Sequence, residues 1–129
     1  MKTVKVVAGL IRFGEEVLCM QRKESKYNYI SHKFEFPGGK IEEGETEQEA
    51  LKRELREEME MEVEIGNKFL SVVHEYPDFI LDMQVFECKA SSKDFVMKEH
   101  ISFEWSLPKN IPLLDWAGAD LPVVKKILG

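Results

Sequence analysis

Between Gly39 and Met61 the chain sets a glycine turn ahead of an acidic run. It reads Gly39-Lys40-Ile41-Glu42-Glu43-Gly44-Glu45, then seven intervening residues, then Arg53-Glu54-Leu55-Arg56-Glu57-Glu58-Met59-Glu60-Met61. No other stretch constrains the fold as much. At roughly 100° per residue, Glu54, Glu57 and Glu58 occupy about a third of a helix circumference. Leu51, Leu55 and Met59 form the adjacent apolar stripe, which must be buried against something flat and apolar. Thr46 is placed to cap the helix, and Glu47 and Glu49 lie in the first turn, where the helix dipole favours negative charge. Ala50 is small enough to let the acidic face approach other backbone.

The same helix carries an electrostatic cost. Like charges three and four residues apart destabilise a helix by about 0.2–0.5 kcal/mol per pair unless a cation relieves them. Magnesium suits the role, since it prefers oxygen ligands and commonly joins one or two carboxylates to substrate phosphates. The alternative is a solvated acidic face balanced by Lys40, Lys52 and Arg56. A preceding glycine turn and an arginine able to orient a carboxylate through its planar fork favour the cation.

The rest of the chain supplies strands for that helix to cover. Val4 to Ile11 and Val17 to Met20 read as a hairpin about a glycine-containing turn. Residues 24 to 32 read as a surface loop. Phe34-Glu35-Phe36 is a short extended piece, ended by a turn at Pro37-Gly38-Gly39. Val63 to Tyr76 and Asp78 to Cys88 predict two more strands, and Ile101 to Trp105 the last. Asp120 ahead of Leu121 and Pro122 predicts an N-cap for a C-terminal helix reaching Leu128. The whole reads as one α/β domain over residues 1–129 with a mixed sheet.

Composition narrows the partners. A net charge of -6 argues against direct DNA or RNA binding, which requires basic surface. It permits a small anionic substrate if bound metal reverses the local field. Cys19 and Cys88 lie in apolar runs and make no metal or disulfide spacing. No apolar run approaches membrane-spanning length, and the expected location is the cytoplasm.

The acidic segment resembles the signature of the Nudix hydrolases, G-x5-E-x7-R-E-U-x-E-E-x-G-U with U aliphatic. Gly39, Glu45, Arg53, Glu54, Leu55, Glu57, Glu58 and Met61 match in register. One position departs: Glu60 stands where the family has a glycine, which puts the left-handed turn at the helix end in question. The likeness covers nearly the whole chain and is strongest to the small MutT-like branch, through Phe34-Glu35-Phe36-Pro37-Gly38-Gly39-Lys40, Lys98-Glu99-His100 and Ala119-Asp120.

That resemblance implies a mixed β-sheet sandwiched between α-helices. It implies magnesium-dependent hydrolysis of a nucleoside triphosphate to a monophosphate and pyrophosphate, with manganese as a substitute. The Gly39 carbonyl, Glu54, Glu57, Glu58 and Glu99 would hold the metal. Arg53 would orient a glutamate of the cluster, and Glu54 or Glu99 would serve as base. Lys23 and its neighbour Arg22 stand where phosphates would lie, and Glu35, Phe36 and Gly38 line the nucleotide pocket. Asp120 would read the base: relatives selective for oxidised guanine often have asparagine there, while cytidine-directed ones can have aspartate. A monomer or homodimer is expected. A nucleotide-sugar hydrolase and a non-catalytic nucleotide-binding module are the competing readings.

Overall fold

The computed structural model describes all 129 residues. Strand β1 (Thr3–Phe13) turns into β2 (Glu16–Arg22) through Gly14, which takes φ +61 at the first position of a two-residue connection. A positive φ there is what a tight hairpin requires. Beyond the turn the strands part, since their pairing covers only Arg12↔Val17 and Phe13↔Glu16. The opened gap is filled by β3 (Phe34–Glu35) on β2 and β4 (Gly38–Lys40) on β1.

The expected turn at Pro37-Gly38-Gly39 is therefore corrected: both glycines are strand. Gly38 lies so close to β1 that a Cβ would sit 1.9 Å from the Val7 carbonyl oxygen. Pro37 makes the crossing, and its carbonyl accepts the Gly9 N–H at 2.7 Å.

The remaining strands complete a seven-stranded mixed sheet. The hairpin of β5 (Val63–Glu75) and β6 (Ile80–Ala90) joins through β6, which runs parallel to β1 from Thr3↔Ile80 to Arg12↔Lys89. Strand β7 (His100–Ser106) pairs antiparallel with β2. The order is β3-β2-β1-β6-β5, with β4 on β1 and β7 on β2.

Period-2 alternation along β1 divides the core between the two faces. Val7 and Ile11 pack with Leu51, Leu55 and Met59 of helix α1 (Glu47–Met59). Ala8 and Leu10 pack with Val123 and Val124 of helix α2 (Leu121–Ile127) and with Ile111 and Trp116. The sheet is thus sandwiched between helices, as expected. Fully burying a leucine such as Leu51 or Leu55 is worth about 1.5–3 kcal/mol, enough to bind the acidic helix to the sheet despite its charge. Cys19 and Cys88 are free thiols, one in each core, and burial pushes both up to about 12. No helix is long and apolar enough to cross a membrane.

Both ends of α1 follow from local chemistry. The Thr46 hydroxyl accepts the Glu49 N–H at 3.1 Å, and the Glu49 carboxylate accepts the Thr46 N–H at 2.9 Å. This reciprocal cap satisfies two otherwise unpaired donors. At the other end Glu60 adopts φ 48 and ψ 40, with its N–H bonded to the Arg56 carbonyl and that of Met61 to the Leu55 carbonyl. The helix thus stops in a left-handed residue as glycine would, at the steric cost that a side chain brings.

The expected Asp120 cap is also corrected. Its side chain makes no capping bond to α2, because the 3-10 turn Gly118–Asp120 already leads into the helix. Replacing Glu60 with glycine should raise the unfolding free energy by about 1 kcal/mol in urea titrations. A loss of stability would show that the exposed Lys98–Glu60 ion pair outweighs the strain.

Candidate active site

Gly39 and helix α1 meet where β4 fills the gap in the sheet. A Cβ at Gly39 would lie 2.3 Å from the Glu54 carboxyl, so backbone and carboxylate touch only because the side chain is missing. Glu54 is one of the few buried charged residues. Arg53 beside it makes the densest set of polar contacts in the molecule. Its Nε and Nη2 donate to Glu45 at 2.6 and 3.0 Å, and Nη1 donates to Glu54 at 2.9 Å and Glu57 at 3.1 Å. Nη2 also donates to the Lys40 carbonyl at 3.0 Å, and Glu42 approaches to 3.5 Å. Pairing with Glu45 raises the guanidinium further above its usual range, and Arg53 in turn holds the Glu45 carboxyl below its own.

Glu58 stands on the other side of Glu54. Burial, a hydrogen bond to Glu54 and the nearby charges of Glu54 and Glu99 push its carboxyl up to about 8. Two carboxyls in contact share a proton because both cannot be ionised cheaply. Glu54, Glu58, Glu99 and Gly39 all line one cleft of about 860 Å³. Glu57 does not line it; its side chain is turned to Arg53. Glu99 is drawn to Lys23 at 3.1 Å.

No three His, Cys, Asp or Glu side chains stand close enough together to hold a metal as they are placed. Glu54 is held by Arg53 at 2.9 Å and Glu99 by Lys23 at 3.1 Å. The donor set itself suits a hard divalent cation: carboxylate oxygens only, around a glycine with no side chain, with a proton standing in for positive charge between Glu54 and Glu58.

The same cleft is also lined by Arg22, Glu35, Phe36, His100 and Asp120. Burial alone would raise the Glu35 carboxyl, yet the His100 ring at 2.9 Å and the Arg22 guanidinium at 2.9 Å hold it below the usual range. Asp120 has no such partner. Burial and then the negative Glu35 push it well above the ordinary carboxylate range, while its Oδ1 accepts the Phe36 N–H at 3.1 Å. In its protonated form it can donate as well as accept. Phe36 is buried and stacks on Trp116 with ring centroids 4.5 Å apart, forming a wall rather than a free stacking platform. Arg22 keeps one buried Nε donor without a partner.

Glu45 and His100 were not singled out as site residues from sequence. Glu45 has a visible signal, its register with Arg53 in the box. His100 has none, since nothing in its local pattern shows that it reaches Glu35.

The raised Glu58 sets a pH dependence. In the metal-free protein the folded state binds a proton that the unfolded chain has released above about pH 4.5, so this contribution is present at low pH and lost as pH rises toward about 8. Melting temperatures from pH 5 to 8 in chelator should fall more steeply for the wild type than for Glu58→Gln. Equal slopes would rule out proton sharing at Glu58.

Comparison with known proteins places these residues in context. The family model described as the NUDIX domain matches residues 1–126. The chain is 29% identical over 128 residues to a CTP pyrophosphohydrolase of Escherichia coli K12, covering 99% of this chain and 93% of that protein. It is likewise 29% identical over 127 residues to the 8-oxo-dGTP diphosphatase of the same organism, covering 98% of both. Among solved structures, the MutT protein of methicillin-resistant Staphylococcus aureus 252 superposes with a TM-score of 0.77 at 37% identity, over 99% of this chain and 98% of that one.

Proposed function

This chain belongs to the Nudix family, and from that premise we propose that it is a magnesium-dependent nucleoside triphosphate pyrophosphohydrolase of the cytoplasmic nucleotide pool. The observation that carries the reading is one cleft of about 860 Å³ that brings unlike groups together. Carboxylates beside bare glycine backbone suit a metal–phosphate complex. Glu35, whose carboxyl is held below the usual range by its partners, and Asp120, a buried acid that donates when protonated, suit the edge of a base.

The substrate would lie along the cleft with its phosphates toward Gly38 and Gly39, whose missing side chains permit close approach. Arg22 and Lys23 supply positive charge to phosphate oxygens. Arg53 fixes the carboxylate of Glu54; Glu54, Glu58, Glu99 and the Gly39 carbonyl are the candidate ligands, and Glu57 would join them by turning away from Arg53. Magnesium, or manganese in its place, would neutralise the phosphate charge and acidify a water when bound. Glu99 or Glu54 takes the proton of the attacking water, whose oxygen bonds to one phosphorus of the α–β anhydride as that anhydride P–O bond breaks, giving the nucleoside monophosphate and pyrophosphate.

Two relatives of equal identity, named for CTP and for 8-oxo-dGTP, frame the choice of base. A panel of 8-oxo-dGTP, dGTP, CTP, dCTP, modified dCTPs and ADP-ribose, ranked by kcat/KM with magnesium, should place a triphosphate first. Turnover of ADP-ribose alone would sink the proposal. Glu58→Gln should lower kcat by about 100-fold or more without loss of fold by circular dichroism. Activity near the wild-type level at saturating magnesium would remove Glu58 from the ligand set. Asp120→Asn keeps the size of the side chain but replaces the acid O–H with an amide, so it should reorder the bases by about tenfold or more in kcat/KM. An unchanged ranking would deny Asp120 a role in base reading.

A further inference from the structure

Strand β7 carries an irregularity at the edge of the cleft. Its pairing with β2 runs from Val17↔Ser106 to Gln21↔Ser102, then skips one residue to Arg22↔His100. Regular alternation would set Ile101 opposite Arg22, on the same face as Phe103 opposite Met20. The bulge instead brings His100 there and leaves Ile101 half exposed, at 50%. Bulges of this kind re-aim a side chain. The His100 side chain is 6% exposed, and its Nε2 lies 2.9 Å from Glu35 Oε2. The other Glu35 oxygen accepts from Arg22 at 2.9 Å. Because the Glu35 carboxylate can only accept, Nε2 is the donor. Three neighbouring strands, β3, β2 and β7, are thereby stapled together at one carboxylate.

Glu99 is the residue immediately before His100. Its own side chain is half exposed and is held only by the exposed Lys23, a kind of pair that fixes position weakly. The buried anchor next to it is His100. Resting on the function proposed above, we propose that His100 is the positioning residue that holds Glu99 at the rim of the carboxylate cleft. His100 touches neither phosphate nor metal in this role. It acts by tying the first residue of β7 to Glu35, so that Glu99 opens toward Glu58 and Glu54.

The test is a mutant cycle with His100→Ala, His100→Gln, Glu99→Gln and the double variant His100→Ala/Glu99→Gln. It is read on the triphosphate that the wild type turns over fastest, with melting temperatures taken alongside. His100→Ala should lower kcat by about 10- to 100-fold with KM changed less than about threefold. Glutamine retains an amide donor for Glu35 and should recover most of the rate. On the Glu99→Gln background, His100→Ala should change kcat by less than about twofold. Mn2+ binding to the free protein, followed by electron paramagnetic resonance, should weaken with either single variant and weaken no further in the double. Multiplicative losses, a change confined to KM, or Mn2+ affinity that ignores His100 would overturn the proposal. If the wild type hydrolyses no triphosphate, the function reading fails on its own, and the Mn2+ cycle still decides the role of His100.

Discussion

The site depends on one guanidinium. Arg53 binds Glu45, Glu54, Glu57 and the Lys40 carbonyl at once, joining the loop before α1, the end of β4 and the acidic face of the helix. Its side chain is 20% exposed, which leaves these contacts partly desolvated and stronger than surface pairs. Without it, the carboxylates of α1 would repel one another with nothing to fix their direction. A lysine would supply the charge but not the fork that engages three carboxylates and a carbonyl together. Arg53 is thus a positioning residue, and its orientation of Glu54 is set before any cation or substrate arrives.

The second constraint is the parting of β1 from β2. A continuous hairpin would leave no opening in the middle of the sheet. Since the strands separate after two pairs, Phe34 to Lys40 can enter, carrying both Glu35 and Gly39 into the cleft. The site therefore draws on both faces. The α1 core supports the carboxylates, while Phe36 of the opposite core donates its N–H to Asp120. The acidic face of α1 and the Asp120 region rest on different packing, so either can change without dismantling the other.

Helix α1 was legible because its information is local: a capping residue, a 3.6-residue apolar stripe and a box of fixed spacing. The two hairpins were legible from alternation and turn residues. What escaped depends on distant pairing. The glycines after Pro37 look like a turn until β1 is laid beside them, and only the 1.9 Å approach to Val7 shows why they are glycines. Asp120 has the chemistry of a helix cap, and the same chemistry serves the Phe36 amide, which lies far away in sequence. His100 was hidden because a bulge moves a side chain without leaving any mark on composition or period. Glu60 had the reverse character. It broke the motif in sequence yet kept the left-handed conformation that the motif requires.

The two cysteines carry a consequence of their own. Cys19 and Cys88 sit in opposite cores, and burial keeps both thiols protonated up to about pH 12. Peroxides and disulfides react with thiolate, not thiol, so at neutral pH they find almost nothing here to attack. This chain thus holds its two thiols, one in each core, where they are chemically silent toward such reagents.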